Sequence, residues 1–401
     1  MRVLHTSDWH LGQRLHGKDR IEDHQFFLDW LIETINTEKV DLLIVAGDIF
    51  DIGYPPNSAL KQYYRFLMEL YKSYCKHVII IGGNHDYIST LNAPKEILEV
   101  LNINIIGGAT ESIEDEIIEI KEDNEIKCVV CAVPFLRDKD IRKSVSGESN
   151  QDRVKAIKEG IKLHYQKLSQ KVEIYKKQQI PIIATGHLYV NGSTLSDSER
   201  DIHIGNLGSV SSEIFGDIFD YVALGHIHKP QVIAGNPNIR YSGSPIPLSF
   251  SEKSDVKQVL LVDFCNEFIV NTIEIPTLRK MLRFNGTFHE VEIQLKAYQS
   301  ENNIKNWAEV NIIEDVYSPQ IMEKYDSLSE LTDALEIIYS TLKFKDKTTG
   351  TYQLFEETTS LSDLNVKQVF EKMIENVELE NSNDLLIAYN ELVESINTEE
   401  D

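Results

Sequence analysis

Met1–Gly12 reads MRVLHTSDWHLG, an apolar stretch followed at once by polar residues. Its first part, Val3–Thr6, predicts a short buried strand, and Asp8 and His10 come directly after it. Four more segments repeat this arrangement, each behind a predicted buried strand: GDIFD at Gly47–Asp51, GNHD at Gly83–Asp86, GHLYV at Gly186–Val190 and GHIHKP at Gly225–Pro230. Because an open α/β sheet binds ligands at the carboxyl ends of its strands, we expect these five polar segments to converge.

The remaining pattern predicts a layered α/β fold, since unbroken apolar strands are separated by helices. Predicted strands are Leu42–Ala46, Val78–Ile81, Val129–Val133, Pro181–Thr185 and Tyr221–Leu224, and predicted helices are Gln25–Asn36, Ala59–Tyr74 and Gln151–Gln179. After Pro247 the pattern of predicted elements changes. Val256–Phe264 and Phe268–Ile275 predict a hairpin that closes a first domain over residues 1–275. A smaller α/β domain is predicted over 276–355, with Trp307–Ile313 as its clearest strand. Two apolar stripes, Val366–Val377 and Leu385–Ile396, predict C-terminal helices over 356–401.

The chain carries a formal net charge of −24, which taken alone argues against nucleic acid as a partner. Thirteen acidic residues lie between Thr351 and Asp401, however, so part of the negative charge belongs to the C-terminal segment. The sequence contains no apolar run of about 18 residues, so it predicts no membrane span. The N-terminus has no signal-peptide pattern. These features predict a cytoplasmic protein. Cys128 and Cys131 have CxxC spacing, which is found in zinc and redox sites, but the apolar run around them favours a buried strand.

The five polar segments together indicate a metal site more strongly than any one of them alone. An isolated Gly-Asp, Gly-Asn or Gly-His after a strand is usually only a turn. Five of the twelve histidines, however, fall in these segments. Two divalent ions about 3.5–4 Å apart can hold a phosphoester, supply a nucleophile and stabilise the leaving oxygen. A carboxylate has to bridge such a pair. Oxygen and imidazole ligands without thiolates suit manganese or iron, and we expect two manganese ions.

The order of the motifs LHTSDWHLG, VAGDIFD, GNHD, GHIH and YSGSPIPLSF resembles the calcineurin-like metallophosphoesterase superfamily, and within it the SbcD family of nuclease subunits. The resemblance is strong over Met1–Ile275. It implies a four-layer sandwich, in which two β-sheets are flanked by helices, together with a smaller α/β capping domain and C-terminal helices.

The resemblance also implies a role for each matching residue. Seven side chains would ligate metal: Asp8, His10 and His228 on one ion, Asn84, His187 and His226 on the other, and Asp48 as the bridge. His85 would be the catalytic histidine, as a proton donor or as a group that stabilises the transition state, and Asp86 would orient it. His5 could support the site or simply pack in its strand. For Asp51 a cap of a helix or loop is expected.

The resemblance further implies a substrate and partners. GDIFDIG lacks the arginine that protein phosphatases carry in GDxxDRG. A DNA exonuclease on double-stranded ends and endonuclease on single strands and hairpins is implied, acting at the nucleoid in recombination, replication and repair. Its partner would be SbcC, an SMC-like ATPase, and a homodimer through Gln62–Tyr74 is expected. A stand-alone phosphodiesterase for small substrates and a non-enzymatic adaptor are the alternatives.

Two features of this interpretation stay open in the sequence. Basic residues near the motif loops could contact DNA phosphates or could simply be solvated: Arg14, Lys18, Arg20, Arg137, Lys139, Arg142 and Lys143. The C-terminal helices could dock on SbcC or pack on the capping domain.

Overall fold

Strands and helices alternate through most of the chain, which a computed structural model describes for residues 1–142, 148–194, 209–265, 268–300 and 304–345. The described strands are β1 (Arg2–Thr6), β2 (Arg14–Leu15), β3 (Lys18–Asp19), β4 (Leu42–Ala46), β5 (His77–Ile81), β6 (Ile103–Ile106), β7 (Ile117–Glu122), β8 (Glu125–Cys131), β9 (Ile182–His187), β10 (Tyr221–Gly225), β11 (Gln231–Ile233), β12 (Asn236–Tyr241), β13 (Gln258–Asp263), β14 (Ile269–Glu274), β15 (Met281–Gly286), β16 (Asn306–Glu314) and β17 (Leu335–Phe344). The described α-helices are α1 (Ile21–Glu38), α2 (Asn57–Lys72), α3 (Ile88–Asn92), α4 (Lys95–Glu99), α5 (Asp138–Ile141), α6 (Asn150–Lys177), α7 (Phe288–Ala297) and α8 (Pro319–Asp326).

Two six-stranded sheets contain most of the strands. The first has the order β14-β13-β1-β4-β5-β6, and the second has the order β11-β12-β10-β9-β8-β7. In the first sheet β1, β4, β5 and β6 are parallel, with Val3 opposite Leu42. In the second, β8, β9, β10 and β12 are parallel. The carboxyl ends of the strands that precede the polar segments therefore share one edge in each sheet. Strands β15, β16 and β17 form a third sheet in that order.

Alternate residues of the central strands face two different layers. Leu43 and Val45 of β4 belong to a buried cluster that includes residues of α1 and α2. Leu42 and Ile44 belong instead to a cluster that also contains Val130 of the second sheet. On its other side, the second sheet packs against α6. The layers are therefore helix, sheet, sheet and helix, which confirms the predicted four-layer sandwich. Strands buried on both faces explain why the sequence shows no apolar–polar alternation.

Most predicted elements are confirmed with small shifts at their ends. Strand β4 has the predicted bounds, whereas α1 is longer at both ends than the predicted Gln25–Asn36. The predicted strand at Val129–Val133 starts and ends earlier, at Glu125–Cys131, and forms a hairpin with β7 along its whole length. Cys128 and Cys131 are both fully buried in β8, so the buried-strand interpretation of the CxxC spacing is confirmed.

The described residues divide into two compact units. Unit one comprises the described residues of Met1–Arg283, Ser300–Glu309 and Ala334–Tyr339, and unit two those of Phe284–Gln299, Val310–Asp333 and from Ser340 onward. Unit two contains α7, which begins with a reciprocal capping box between Thr287 and Glu290. The segment 356–401, with both predicted C-terminal helices, lies outside the described residues. Within the described part of the chain, no helix is long and apolar enough to cross a membrane.

Candidate metal centre

The five polar segments meet where the two main sheets present their carboxyl ends. Asp8 and His10 follow β1, Asp48 follows β4, Asn84 follows β5, His187 ends β9, and His226 and His228 follow β10. The Asn84 Oδ1 atom lies 3.0 Å from His187 Nε2 and 2.9 Å from His226 Nδ1. Side chains of both sheets therefore contact each other, and all seven predicted ligand residues lie at one place.

Asp48 occupies the middle of this cluster. Its Oδ2 atom lies 3.2 Å from His187 Nε2 and 3.6 Å from His10 Nε2. Ligand atoms of Asp8, His10 and His228 lie within 4.8 Å of one another, and so do those of Asp8, Asp48 and His187. Asp48 thus adjoins one histidine from each of the two predicted ligand sets, as a bridging carboxylate must. The assignment of individual ligands to individual ions remains a prediction.

The backbone at this place is held in a conformation that most residues avoid. Asp8, His10, Asp48 and His226 have φ angles of 53°, 48°, 50° and 98°. Left-handed backbone costs non-glycine residues free energy, of order 1–3 kcal/mol each, and it concentrates at functional sites. Backbone hydrogen bonds hold the turns together: the Asp8 amide donates to the Gly47 carbonyl at 2.9 Å, and the His10 amide donates to the Asp48 carbonyl at 3.0 Å. These turns aim the side chains inward.

Two glycines leave room for the ligand side chains. A Cβ atom on Gly83 would lie 2.1 Å from Asp48 Oδ1, and a Cβ atom on Gly47 would lie 2.3 Å from His187 Nδ1. Neither distance is possible between non-bonded heavy atoms. Glycine at these positions is therefore required by the close approach of two predicted ligand residues.

The electrostatics of the cluster favour cations. Burial lowers the pKa of His10, but the carboxylates of Asp51, Asp48 and Asp8 outweigh it and raise the pKa to about 9. The pKa of His187 is likewise raised to about 9, because the charge of Asp48 outweighs burial. Buried carboxylates that stabilise positive charge this strongly suit divalent ions.

The donor set of the cluster also fits metal ions. Neither ring nitrogen of the buried His10 meets hydrogen-bond geometry among the described residues, although carboxylate oxygens lie 3.2 Å from Nδ1 and 3.6 Å from Nε2. Buried polar atoms are normally satisfied, so an unsatisfied imidazole beside carboxylates is typical of a metal ligand. Oxygen and imidazole donors without thiolates fit manganese or iron.

His85 lies beside the predicted ligands and is anchored by two hydrogen bonds. Its amide donates to Asp48 Oδ1 at 2.9 Å, and its Nδ1 atom lies 2.7 Å from the Asp51 carbonyl oxygen. Because a carbonyl only accepts, Nδ1 carries the proton, which leaves Nε2 as the atom that can exchange one. The ring centroid lies 4.8 Å from that of His10.

Asp86 does not contact His85 as the sequence suggested. Its carboxylate accepts the amides of Gly83 at 2.9 Å, Ile49 at 3.1 Å and Phe50 at 3.0 Å. It therefore ties the turn after β5 to the turn after β4. Burial, followed by the charge of Asp48, raises the pKa of Asp86 to about 6. The carbonyl of Asp51 orients the imidazole instead, a contact that no sequence pattern reveals.

Two carboxylates that the sequence left without such a role contact predicted metal ligands. The Asp51 Oδ1 atom lies 3.2 Å from His10 Nδ1, so the Asp51 side chain contacts a predicted ligand instead of forming the loop cap that was expected. The buried Glu252 lies 3.4 Å from His228 Nδ1 and is itself paired with the buried Lys257 at 2.6 Å. Carboxylates that orient ligating histidines tune metal affinity. Glu252 lies two residues after YSGSPIPLSF, so that motif was the only signal for it.

His5 packs in its strand and does not face the ligands through any described contact. Its Nδ1 atom lies 2.9 Å from the Tyr221 hydroxyl, and its Nε2 atom lies 3.2 Å from the Leu224 carbonyl oxygen. His5 thus joins β1 of the first sheet to β10 of the second. Of the two roles left open for it, the structure favours the packed strand histidine.

Several basic residues that could have met DNA phosphates are already engaged. Arg20 is buried, donates to the Pro247 carbonyl at 2.8 Å and lies over the Trp307 ring. Lys18 pairs with Glu336 at 2.6 Å. Arg137 and Arg142 pair with acidic residues of their own segment. Arg20 in particular is structural and cannot be a phosphate contact. Arg14 and Lys139 remain exposed, and Lys143 lies outside the described residues.

Comparison of the sequence with known proteins places this chain in a family. A sequence model of the calcineurin-like phosphoesterase family matches residues 1–230. The SbcD subunit of the SbcCD nuclease of Escherichia coli strain K12 is 37% identical over 389 residues, which cover 95% of this chain and 94% of the relative. This chain belongs to the SbcD family. Its place among the calcineurin-like phosphoesterases makes it a phosphodiester hydrolase that requires divalent metal ions.

Two further SbcD relatives extend the comparison. The SbcD proteins of Bacillus subtilis and Rhodobacter capsulatus are each 33% identical, over 66% and 71% of this chain and the same shares of their own lengths. A second family model, described as the type 5 capsule protein repressor C-terminal domain, matches residues 277–378. Together with the 389 residues matched by the Escherichia coli relative, this match extends the SbcD resemblance beyond the domain that carries the metal centre.

Proposed function

We propose that this protein is the nuclease subunit of an SbcCD-type complex and hydrolyses DNA phosphodiester bonds at the metal centre. It acts as an exonuclease on double-stranded ends and as an endonuclease on single strands and hairpins, at the nucleoid, in recombination, replication and repair. The observation that carries the proposal is the cluster of seven ligand residues around Asp48, with His85 anchored to Asp48. The relatives are named as subunits of the SbcCD nuclease, which supports DNA as the substrate and an SbcC-type ATPase as the partner.

In this proposal the chain would hold two manganese ions. Asp8, His10 and His228 would ligate one ion, Asn84, His187 and His226 would ligate the other, and Asp48 would bridge them. When bound, such a pair provides Lewis acidity for the phosphate and a nucleophile at neutral pH. Asp51 and Glu252 orient His10 and His228, so that these ligands keep one rotamer.

His85 donates a proton to the leaving group. Its Nδ1–H is committed to the Asp51 carbonyl, so that Nε2 of the imidazolium is the atom that donates to the departing 3′ oxygen. The hydrogen bond from the His85 backbone amide to Asp48 Oδ1 holds His85 beside the bridging carboxylate. His85 touches the substrate in this account and does not ligate metal.

Helix α2 offers the surface for a homodimer. Tyr64, Met68 and Tyr71 are 39%, 63% and 59% exposed and follow one another at helical spacing on one face. Phe66 and Leu67 of the same helix are only 3% exposed, because they belong to the core. The dimer surface is therefore the exposed stripe. Docking of the C-terminal segment 356–401 on the ATPase stays part of the proposal.

A manganese-dependent assay on hairpin DNA tests this function. The full chain, with and without an SbcC-type ATPase, should open hairpins, and Asp48→Ala should abolish the cleavage. His85→Ala should lose at least about 100-fold in activity while it still binds metal. Hydrolysis of bis-p-nitrophenyl phosphate without cleavage of hairpin or linear DNA, even with the ATPase present, would instead identify a stand-alone phosphodiesterase for small substrates.

A further inference from the structure

Two tyrosines stand exposed on the loops that carry Asp51 and His85. Tyr54 is 76% exposed and Tyr87 is 51% exposed, and their ring centroids lie 5.0 Å apart at an interplanar angle of 31°. Ile52 on the same loop is 54% exposed. Rings this exposed bury little surface within the chain, so their packing contributes little to folding. An exposed aromatic patch beside a site is typical of ligand binding.

Residues close in sequence determine the position of the Tyr87 ring. A Cβ atom on Gly53 would lie 2.4 Å from Tyr87 Cδ2, so the ring can lie against the backbone only because residue 53 is glycine. Thr90 donates its hydroxyl to the Gly53 carbonyl at 3.1 Å, which joins the two loops. The Tyr87 carbonyl accepts the amide of Thr90 at 2.9 Å, in the first turn of α3. Tyr87 is therefore held in place while half of its surface stays exposed.

The same loops are joined to the catalytic histidine. The Asp51 carbonyl that accepts from His85 lies three residues before Tyr54. Tyr87 lies two residues after His85, and two residues of backbone span at most about 7 Å. The tyrosines thus lie next to the place where the scissile phosphate must sit if His85 is to reach the leaving oxygen.

A nucleobase is the ligand that fits these observations. Aromatic side chains bind unpaired bases by stacking on them, with little dependence on sequence because every base has a π-face. The hydroxyl of tyrosine keeps the outer edge of the ring hydrated. Bases within a duplex already stack on each other and offer no free face, whereas unpaired bases do.

On the basis of the proposed function, we propose that Tyr54 and Tyr87 form a stacking subsite for one unpaired nucleobase adjacent to the scissile phosphate. The subsite would position single-stranded, hairpin and frayed-end substrates in front of His85. It is a positioning site, since neither tyrosine touches the reacting atoms.

Single-stranded oligonucleotides with one abasic site, moved stepwise along the strand, test this subsite on the full chain with manganese. For the wild-type protein, KM should rise about tenfold when the abasic site falls at the stacking position, and hardly at others. In Tyr54→Ala and Tyr87→Ala, KM for the intact strand should rise about tenfold, and the ratio of abasic to intact KM should fall to near one. Tyr54→Phe and Tyr87→Phe keep the rings and should keep the wild-type ratio.

The possible outcomes separate this subsite from the proposed function. If the wild-type protein cleaves DNA and the alanine variants keep the wild-type ratio, the stacking subsite is wrong and the nuclease stands. If the alanine variants lose only co-purification with an SbcC-type ATPase, the patch is a protein contact and the stacking subsite is again wrong. If the wild-type protein cleaves no DNA at all, the proposed function fails first. Thermal unfolding of each variant should match the wild type, because exposed substitutions change stability little.

Discussion

At the scale of single residues, histidines in this chain have opposite electrostatic environments. His10 and His187 lie among carboxylates, and each has its pKa raised to about 9. His5 lies between the two sheets, where burial lowers its pKa to about 3. The same side chain therefore serves a cation site in one place and a neutral hydrogen-bonded contact in another. The difference comes from which neighbours the fold supplies.

His5 predicts a pH dependence of stability. Its folded pKa of about 3 is below the unfolded value of about 6.5, so the unfolded state binds the proton more readily. The stability that neutral His5 contributes is complete above pH 6.5 and is lost as the pH falls. Between pH 7 and pH 5 the loss should be about 2 kcal/mol.

Urea unfolding of the metal-free chain at pH 7 and pH 5 measures this loss. His5→Gln cannot take up a proton in this range, so the drop in the free energy of unfolding between the two pH values should be about 2 kcal/mol smaller than in the wild type. The other buried histidines are common to both proteins and cancel in the comparison. An equal drop in both proteins would show that His5 does not stay neutral in the folded state.

Residue roles could be predicted from sequence only where the motif itself carries the contact. The seven predicted ligand residues follow or end strands, and the shared edge of each sheet brings them together. The structural role of Arg20 depends on Trp307, which is 287 residues away in the sequence, so its burial could not be inferred from the basic cluster around it. The contact of Glu252 with His228 joins residues that are 24 positions apart and belong to different motifs. Long-range packing, which no local pattern encodes, decides these cases.

At the scale of elements, the turns after the strands determine the geometry of the site. The turns after β1 and β4 are joined by backbone hydrogen bonds, and Asp86 joins the turns after β4 and β5. Unbroken apolar runs such as LLIVA predicted the strands that lead into these turns. The strands β6 and β7 escaped prediction, because their short apolar runs carry no polar motif behind them.

The turn after β5 can be tested without changing any ligand. In Gly83→Ala the new Cβ atom would lie 2.1 Å from Asp48 Oδ1 and 2.4 Å from the Asp48 amide nitrogen. Asp48 must then move, and misplacement of a catalytic constellation by about 1 Å can cost about 100-fold in rate. Hydrolysis of bis-p-nitrophenyl phosphate with manganese should fall by at least that factor.

The matched control is Gly235→Ala, in the turn between β11 and β12. Gly235, unlike Gly83, has a positive φ of 71°, and a Cβ atom there would meet nothing within 4 Å. This variant should lose about 1–2 kcal/mol of stability and keep its activity. Unchanged hydrolysis in Gly83→Ala would mean that Asp48 has no fixed position in the working site.

At the scale of the whole molecule, two sheets from distant parts of the sequence build one centre. The first sheet supplies Asp8, His10, Asp48 and Asn84, and the second supplies His187, His226 and His228. The strands that lead into the polar segments were predictable from their apolar runs, and the family resemblance added the four-layer arrangement. The surface that a second copy would use was less predictable, since helical spacing alone did not separate the buried face of α2 from its exposed face.

The exposed stripe of α2 predicts the oligomeric state. Met68→Glu combined with Tyr71→Glu should convert a dimer to a species with the 45.9 kDa mass of one chain, because charges placed in an apolar interface lose their hydration. Sedimentation velocity of the full chain measures this. Val100→Glu, which changes an 82% exposed apolar residue elsewhere, should leave the dimer intact. A double variant that sediments like the wild type would place the dimer contact elsewhere.

Calorimetric titration of manganese into the chelator-treated full chain measures whether one chain binds two divalent ions around Asp48. We predict two ions per chain for the wild type and for His85→Ala, and no more than one for Asp48→Ala. A single ion in the wild-type protein, or the loss of an ion in His85→Ala, would contradict the assignment of the bridge and of the catalytic histidine.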